Sequence, residues 1–210
     1  MVDMQGKLTQ PIRISALVSG GGTNLQAVID AISEGRVKNA EIVKVISNRK
    51  AAFALVRAEE AGISTAIVSN VMFPDPELRT KELIRILGEA GTDLILLAGY
   101  LSILAPEFVG HFRGRIINIH PARLPKHGGA GYYGLNVHRA VLESGDKISG
   151  ATVHFVDEGI DTGEIIIQSE VPVLDGDTPE DLAARVLVTE HEIFPEAVDI
   201  VVKRMLENEA

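Results

Sequence analysis

Between residues 12 and 143 short apolar runs alternate with stretches of helical period, and this alternation constrains the fold more than any other feature. The runs at 12–18, 41–47, 65–69, 93–98 and 116–119 are rich in Ile, Val and Leu and too short to be helices. Helical patterns fill 24–34, 51–61, 76–89 and 137–143. Gly62 suits the position just past a helix end, and Asp75-Pro76 reads as an N-cap followed by proline at N1. Strands joined through helices run parallel and have both faces covered. After residue 143 the rhythm changes. Runs at 150–156 and 164–172 flank a loop at 157–163 that is too short for a crossover helix, so they are expected to pair antiparallel. A long helix over 178–206, with Thr178 as N-cap and Pro179 at N1, closes the chain. The expected fold is α/β: a doubly wound, mostly parallel sheet with helices on both faces and an antiparallel C-terminal part. Residues 1–11 read as a polar tail and 12–208 as a single domain.

The tetrad Asn118-Ile119-His120-Pro121 ends one apolar run. Two positions apart on a strand, Asn118 and His120 point to the same face, and Pro121 stops the ladder by removing a backbone donor. An amide able to donate to an oxyanion therefore sits beside the side chain best suited to proton transfer near neutral pH. Asp161, in Asp161-Thr162-Gly163, offers a carboxylate that would complete an acid/base set. Standing alone, the tetrad would fit a strand-end asparagine and a core histidine better than a catalytic pair.

The run Ser19-Gly20-Gly21-Gly22-Thr23-Asn24 joins the first strand to the first helix. Its glycines would let a phosphate approach bare amides at a helix N-terminus. The spacing is neither G-x-G-x-x-G nor a Walker loop, so a monophosphate is the natural ligand. A plain tight turn capped by Thr23 accounts for the same residues. The segment 98–104 follows a buried strand at its C-terminal end, where open α/β sheets bind ligands, and reads as packing or pocket. The loop 126–134, with its glycines and two tyrosines, reads as a lid or an exposed connection. His154, alternating with Phe155, reads as structural. His111 and His127 have no spacing partner that suggests a metal, and none is expected.

Composition narrows the partners. A chain of 210 residues with 46% hydrophobic content can bury a sizeable core. Its net charge of −9 argues against nucleic acid. No run approaches the roughly 18 apolar residues of a membrane span. There is no cysteine, which allows a reducing compartment, and residues 1–10 lack the apolar core of a signal peptide. The expectation is a cytoplasmic protein acting on small molecules, with assembly open, a homodimer included.

Five segments taken in order resemble one family. These are Ser-Gly-Gly-Gly-Thr-Asn-Leu-Gln at 19–26, Leu-Ala-Gly-Tyr at 97–100, the tetrad at 118–121, His-Phe-Val at 154–156 before the Asp161 motif, and Thr-Glu-His at 189–191. The chain is similar to the folate-dependent formyltransferases, in particular the phosphoribosylglycinamide formyltransferases of purine biosynthesis. The resemblance implies transfer of a formyl group from 10-formyltetrahydrofolate, as co-substrate, to the amine of 5′-phosphoribosylglycinamide. It implies that Asn118 stabilises the oxyanion, that His120 is general acid/base and that Asp161 orients His120. It assigns Gly22, Thr23 and Asn24 to the substrate phosphate and Glu190 to the sugar-glycinamide. Leu101, Ser102, Ile103 and Leu104, with Asn118, Asp157, Glu158, Gly159, Ile160 and Asp161, match the folate pocket.

The chain also departs from the family pattern. Ser102 and Pro76 stand where arginines for the folate tail are expected, leaving Arg79 or Arg123 for that task. The loop from Arg123 to Gly129 differs from the usual Leu-Leu-Pro-x-Tyr/Phe-x-Gly. Formyltetrahydrofolate hydrolase and a formyltransferase acting on another phosphorylated amine are the alternatives. A phosphate- or folate-binding protein without turnover comes from a different class.

Overall fold

A computed structural model describes residues 10–208, so the expected tail lies outside the described residues except for Gln10 and Pro11. The elements are β1 (Ile12–Val18), α1 (Thr23–Ser33), β2 (Ala40–Ser47), α2 (Phe53–Glu60), β3 (Thr65–Ile67), α3 (Pro76–Glu89) and β4 (Leu94–Leu97). They continue with α4 (Pro106–His111), β5 (Ile116–His120), α5 (Leu135–Glu143), β6 (Ile148–Phe155), β7 (Ile165–Pro172) and α6 (Pro179–Asn208). The strands form one sheet in the order β3-β2-β1-β4-β5-β6-β7. Pairing is parallel from β3 to β5 and antiparallel at β5–β6 and β6–β7. The doubly wound reading and the antiparallel C-terminal part both hold.

Alternation along the strands divides the core. Ile14, Ala16, Leu94, Leu96, Ile117 and Ile119 face the layer built from α1, α2, α5 and α6, which contributes Val28, Ala58, Val141 and Phe194. Leu17, Ile46, Ile95, Leu97 and Ile116 face α3 and α4, meeting Leu83, Leu87 and Phe108. Ile14, Leu17, Ile95 and Ile116 are fully buried, and burying each such side chain contributes about 1.5–3 kcal/mol. The N-caps expected at Asp75 and Thr178 are both present. Asp75 Oδ1 accepts from Glu77 N at 2.8 Å at the start of α3, and Thr178 Oγ1 accepts from Asp181 N at 3.1 Å before α6.

Helix α4 is an addition to the elements expected from the strand–helix alternation. Its signals were present: Pro106 at N1, Glu107 in the first turn, and Phe108 four residues before Phe112, whose rings lie 5.0 Å apart. Six residues are too few for a helical period to stand out.

Strand order reverses direction at β1, whose neighbours are β2 and β4. The crevice beyond the carboxyl ends of such strands is where open α/β sheets take their ligands. The glycine run follows β1, Gly99 to Leu104 follow β4, and Pro121 follows β5, so three sequence motifs converge there through topology.

Candidate active site

Asn118 and His120 share a face of β5 with Ile116, as parity requires. In the antiparallel register Asn118 lies opposite His154 and His120 opposite Thr152. The Asn118 Nδ2 is 3.1 Å from His154 Nε2. The other ring nitrogen of His154, Nδ1, is 2.8 Å from the Phe155 carbonyl. Because that carbonyl only accepts, neutral His154 carries its proton on Nδ1 and accepts from Asn118 at Nε2. One N–H of the asparagine amide is thereby engaged, and the second remains to donate to a ligand.

Asp161 joins the two histidines. Its Oδ2 lies 3.5 Å from His120 Nδ1 and its Oδ1 3.5 Å from His154 Nε2, while Gly129 N donates to Oδ2 at 3.0 Å. The loop that carries Asp161 turns back tightly. A Cβ on Gly163 would stand 1.8 Å from the Phe155 carbonyl oxygen, which explains a glycine two residues after the acid. Asp161 itself has φ of 59°, in the left-handed region. Burial works to raise its carboxyl, but the hydrogen that His154 Nε2 donates when its ring is charged, the charge of His120 and the Gly129 amide together hold it below the usual value. For His120 burial prevails and lowers the imidazole, against the opposing charge of Asp161 and the hydrogen bond to the His127 carbonyl at 2.8 Å. The arrangement can hold one proton between buried partners and present an amide N–H beside it.

These groups line a cleft of about 450 Å³. Asn118, His120 and Asp161 all border it, as do Leu101, Ser102, Ile103, Leu104, Asp157, Glu158, Gly159 and Ile160. The Leu101 amide donates to Ser19 Oγ at 2.9 Å, tying the segment after β4 to the glycine run after β1. On the other side of the cleft, Thr162 Oγ1 and the Gly159 amide both donate to Asp157 Oδ1, at 2.6 and 3.0 Å, which shapes the loop. Apolar walls from Leu97, Val109 and Val156 combine with these backbone edges, a lining suited to a flat, hydrogen-bonding heterocycle.

Asn24 and Glu190 border the same cleft, although 166 residues separate them. Asn24 Nδ2 donates to Glu190 Oε2 at 2.8 Å, and Asn24 Oδ1 is buried without a partner. Burial pushes the Glu190 carboxyl up to about 6, opposed by this hydrogen bond. Gly22 and Thr23 are not among the cleft-lining residues but adjoin Asn24 at the start of α1, which no side chain caps. Gly22 has φ of 73°, and a Cβ there would meet Ala54 Cβ at 2.5 Å, so packing against α2 demands glycine as well.

The loop 126–134 is no bystander, because its residues from Gly129 to Gly134 line the cleft. His154, read as structural from the sequence, is buried and in contact with the site. Its alternation with Phe155 is legible in the chain, whereas the register that sets it opposite Asn118 belongs to the packed sheet. Of the two cations left for an anionic tail, Arg79 lies near enough for its charge to act on Tyr100, a cleft residue, whereas Arg123 lines a separate hollow and pairs with Glu170 at 3.0 Å. Ser102 Oγ accepts from Asn48 Nδ2 at 2.7 Å.

A model of the formyl transferase family matches residues 12–198. Phosphoribosylglycinamide formyltransferase of Escherichia coli K12 is 44% identical over 184 residues, covering 88% of this chain and 84% of the relative. The trifunctional purine biosynthetic protein adenosine-3 of Drosophila pseudoobscura pseudoobscura is 47% identical over 196 residues, 92% of this chain; the chain spans 14% of that protein's length. Among solved structures, glycinamide ribonucleotide transformylase 1 from Symbiobacterium toebii superposes with a TM-score of 0.86 at 42% identity, covering 92% of this chain and 88% of that one.

Proposed function

This chain belongs to the formyl transferase family, and on that premise we propose that its cleft transfers a formyl group from 10-formyltetrahydrofolate to the amine of 5′-phosphoribosylglycinamide. The observation that carries this reading is the convergence of Asn118, His120 and Asp161 with Asn24 and Glu190 around one cleft. A binding protein without turnover has no use for the first three together, and a hydrolase has no use for the last two.

In this mechanism the folate lies along Leu101, Ile103, Leu104 and the 157–161 loop, and the acceptor lies toward Asn24 and Glu190. The acceptor's amine nitrogen attacks the formyl carbon, and the carbonyl π pair moves onto oxygen. The Asn118 Nδ2–H left over from His154 donates to that oxyanion. His120 moves the proton lost by the amine to the folate nitrogen as the old C–N bond breaks, with Asp161 stabilising its charged form. The phosphate meets the main-chain amides at the start of α1, with Gly22 and Thr23, where the helix dipole favours an anion. The buried Glu190 carboxylate takes the amine or hydroxyl donors of the sugar-glycinamide.

The same reading keeps the protein in the cytoplasm, in keeping with a cysteine-free chain, and leaves a homodimer open. Among the described residues no helix is long and apolar enough to cross a membrane.

The deciding experiment measures tetrahydrofolate and formate from 10-formyltetrahydrofolate with and without phosphoribosylglycinamide. Release that depends on the acceptor, with formylated nucleotide in equal amount, is the expected result. Fast acceptor-independent formate release would instead establish a hydrolase, and no turnover in either condition a binding protein.

A further inference from the structure

Asp146 lies in the turn between α5 and β6, outside the cleft lining. Its two carboxylate oxygens are divided between neighbouring residues of one loop. Oδ1 takes the Lys126 ammonium, and Oδ2 takes His127 Nε2 at 2.7 Å. His127 has φ of 57°, a left-handed conformation that favours glycine and needs holding from outside. In that conformation its carbonyl oxygen reaches His120 Nε2 at 2.8 Å. Two residues on, the Gly129 amide donates to Asp161 Oδ2 at 3.0 Å. The His127 ring also packs against Tyr132, a cleft residue, at 6.0 Å between centroids. One short loop therefore grips both members of the His120–Asp161 pair, and Asp146 grips the loop.

The chemistry of that grip is specific. A carbonyl oxygen only accepts, so His120 Nε2 must carry a hydrogen to satisfy it. Neutral His120 then keeps its lone pair on Nδ1, the nitrogen 3.5 Å from Asp161 Oδ2. The proton that enters and leaves the ring does so at Nδ1, in front of the carboxylate that stabilises the charged form.

We propose that Asp146 is a positioning residue for the reaction: by clamping Lys126 and His127 it holds the His127 carbonyl on His120 Nε2 and so fixes the tautomer of the proton-transferring imidazole. This rests on the reading of His120 as the general acid/base. The acid touches no reacting atom and acts only through His127.

The test combines nitrogen NMR of the His120 imidazole with steady-state kinetics on the full chain. At a pH where His120 is neutral, the wild-type ring is expected in the Nε2–H form. Asp146→Ala releases the clamp, and a mixture of both tautomers is expected. The turnover number falls about tenfold or more while both KM values change little, since misplacing a catalytic group costs the chemical step. His127→Phe keeps a ring against Tyr132 but has no nitrogen for Asp146, and is expected to give the same tautomer mixture. The double variant is expected to be no worse than the poorer single one. A folded Asp146→Ala protein that keeps the Nε2–H form, or one whose only change is a lower melting temperature, would overturn the proposal. Should wild-type protein transfer no formyl group, the reading of the cleft fails, while the tautomer comparison still decides the clamp.

Discussion

Asn118 and His154 stand opposite each other across the β5–β6 pair, with the amide nitrogen 3.1 Å from the imidazole Nε2. The contact orients the amide so that its oxygen points away from the histidine and one N–H stays available. Asn118→Ala is expected to lower kcat on the order of 10²–10³, the range for loss of one oxyanion donor. His154→Ala, which leaves the amide in place but unheld, is expected to cost about tenfold, and the double variant less than the product of the two. Steady-state rates of the three variants check this, and losses that simply multiply would mean the pair does not act as a unit.

His120→Ala is expected to lower kcat on the order of 10²–10⁴, as for a lost general acid/base. The KM for the phosphorylated acceptor is expected to stay near wild type, because His120 acts on a proton in transit. Retention of more than half the turnover would remove His120 from the mechanism.

Asp161→Asn separates charge from shape. Asparagine tolerates the left-handed backbone found at this position, so the loop is expected to keep its course. Burial lowers the His120 imidazole and the Asp161 charge opposes that fall. Without the charge the midpoint drops further, and the acidic limb of the pH–rate profile moves to lower pH with it. An NMR titration of His120 reads the shift directly; an unchanged midpoint would show that the two groups are not electrostatically coupled.

Glu190 links pH to stability. Its carboxyl is raised from 4.5 to about 6 on folding, so the unfolded chain releases this proton first as pH rises. The contribution is fully present below about pH 4.5 and is lost as pH climbs through 6, a change of about 2 kcal/mol. Glu190→Gln is expected to flatten that part of the curve and to raise KM for the phosphorylated acceptor more than for the folate. Denaturant unfolding between pH 4 and 7.5 measures the first effect; an identical slope in the variant would contradict the assignment.

Gly22→Ala is expected to destabilise the fold by roughly 1–3 kcal/mol, because the added Cβ meets Ala54 and the backbone is left-handed. Gly20 and Gly21 have open space for a Cβ, so alanine at either is expected to fold like wild type. A shift in the unfolding midpoint at Gly22 alone is the expected pattern. Equal shifts at all three glycines would mean that the loop, and not the α1–α2 contact, sets the requirement.

Elements whose signals lie within a few residues were legible in the chain itself. The Asp75-Pro76 start of α3, the Thr178-Pro179 start of α6, the parallel strands and the shared face of Asn118 and His120 follow from side-chain period and capping, which act over one or two turns. The antiparallel pairing of β6 with β7 followed from the length of the loop between them. What only the tertiary structure decided are contacts between distant residues. These set Asn24 against Glu190, His154 beside Asn118 and Asp161, and Asp146 under His127. Each depends on strand register or on a loop path, and a slip of one residue in register would turn His154 to the other face of the sheet. Period shows that a side chain alternates; only the packed sheet selects which neighbour it meets.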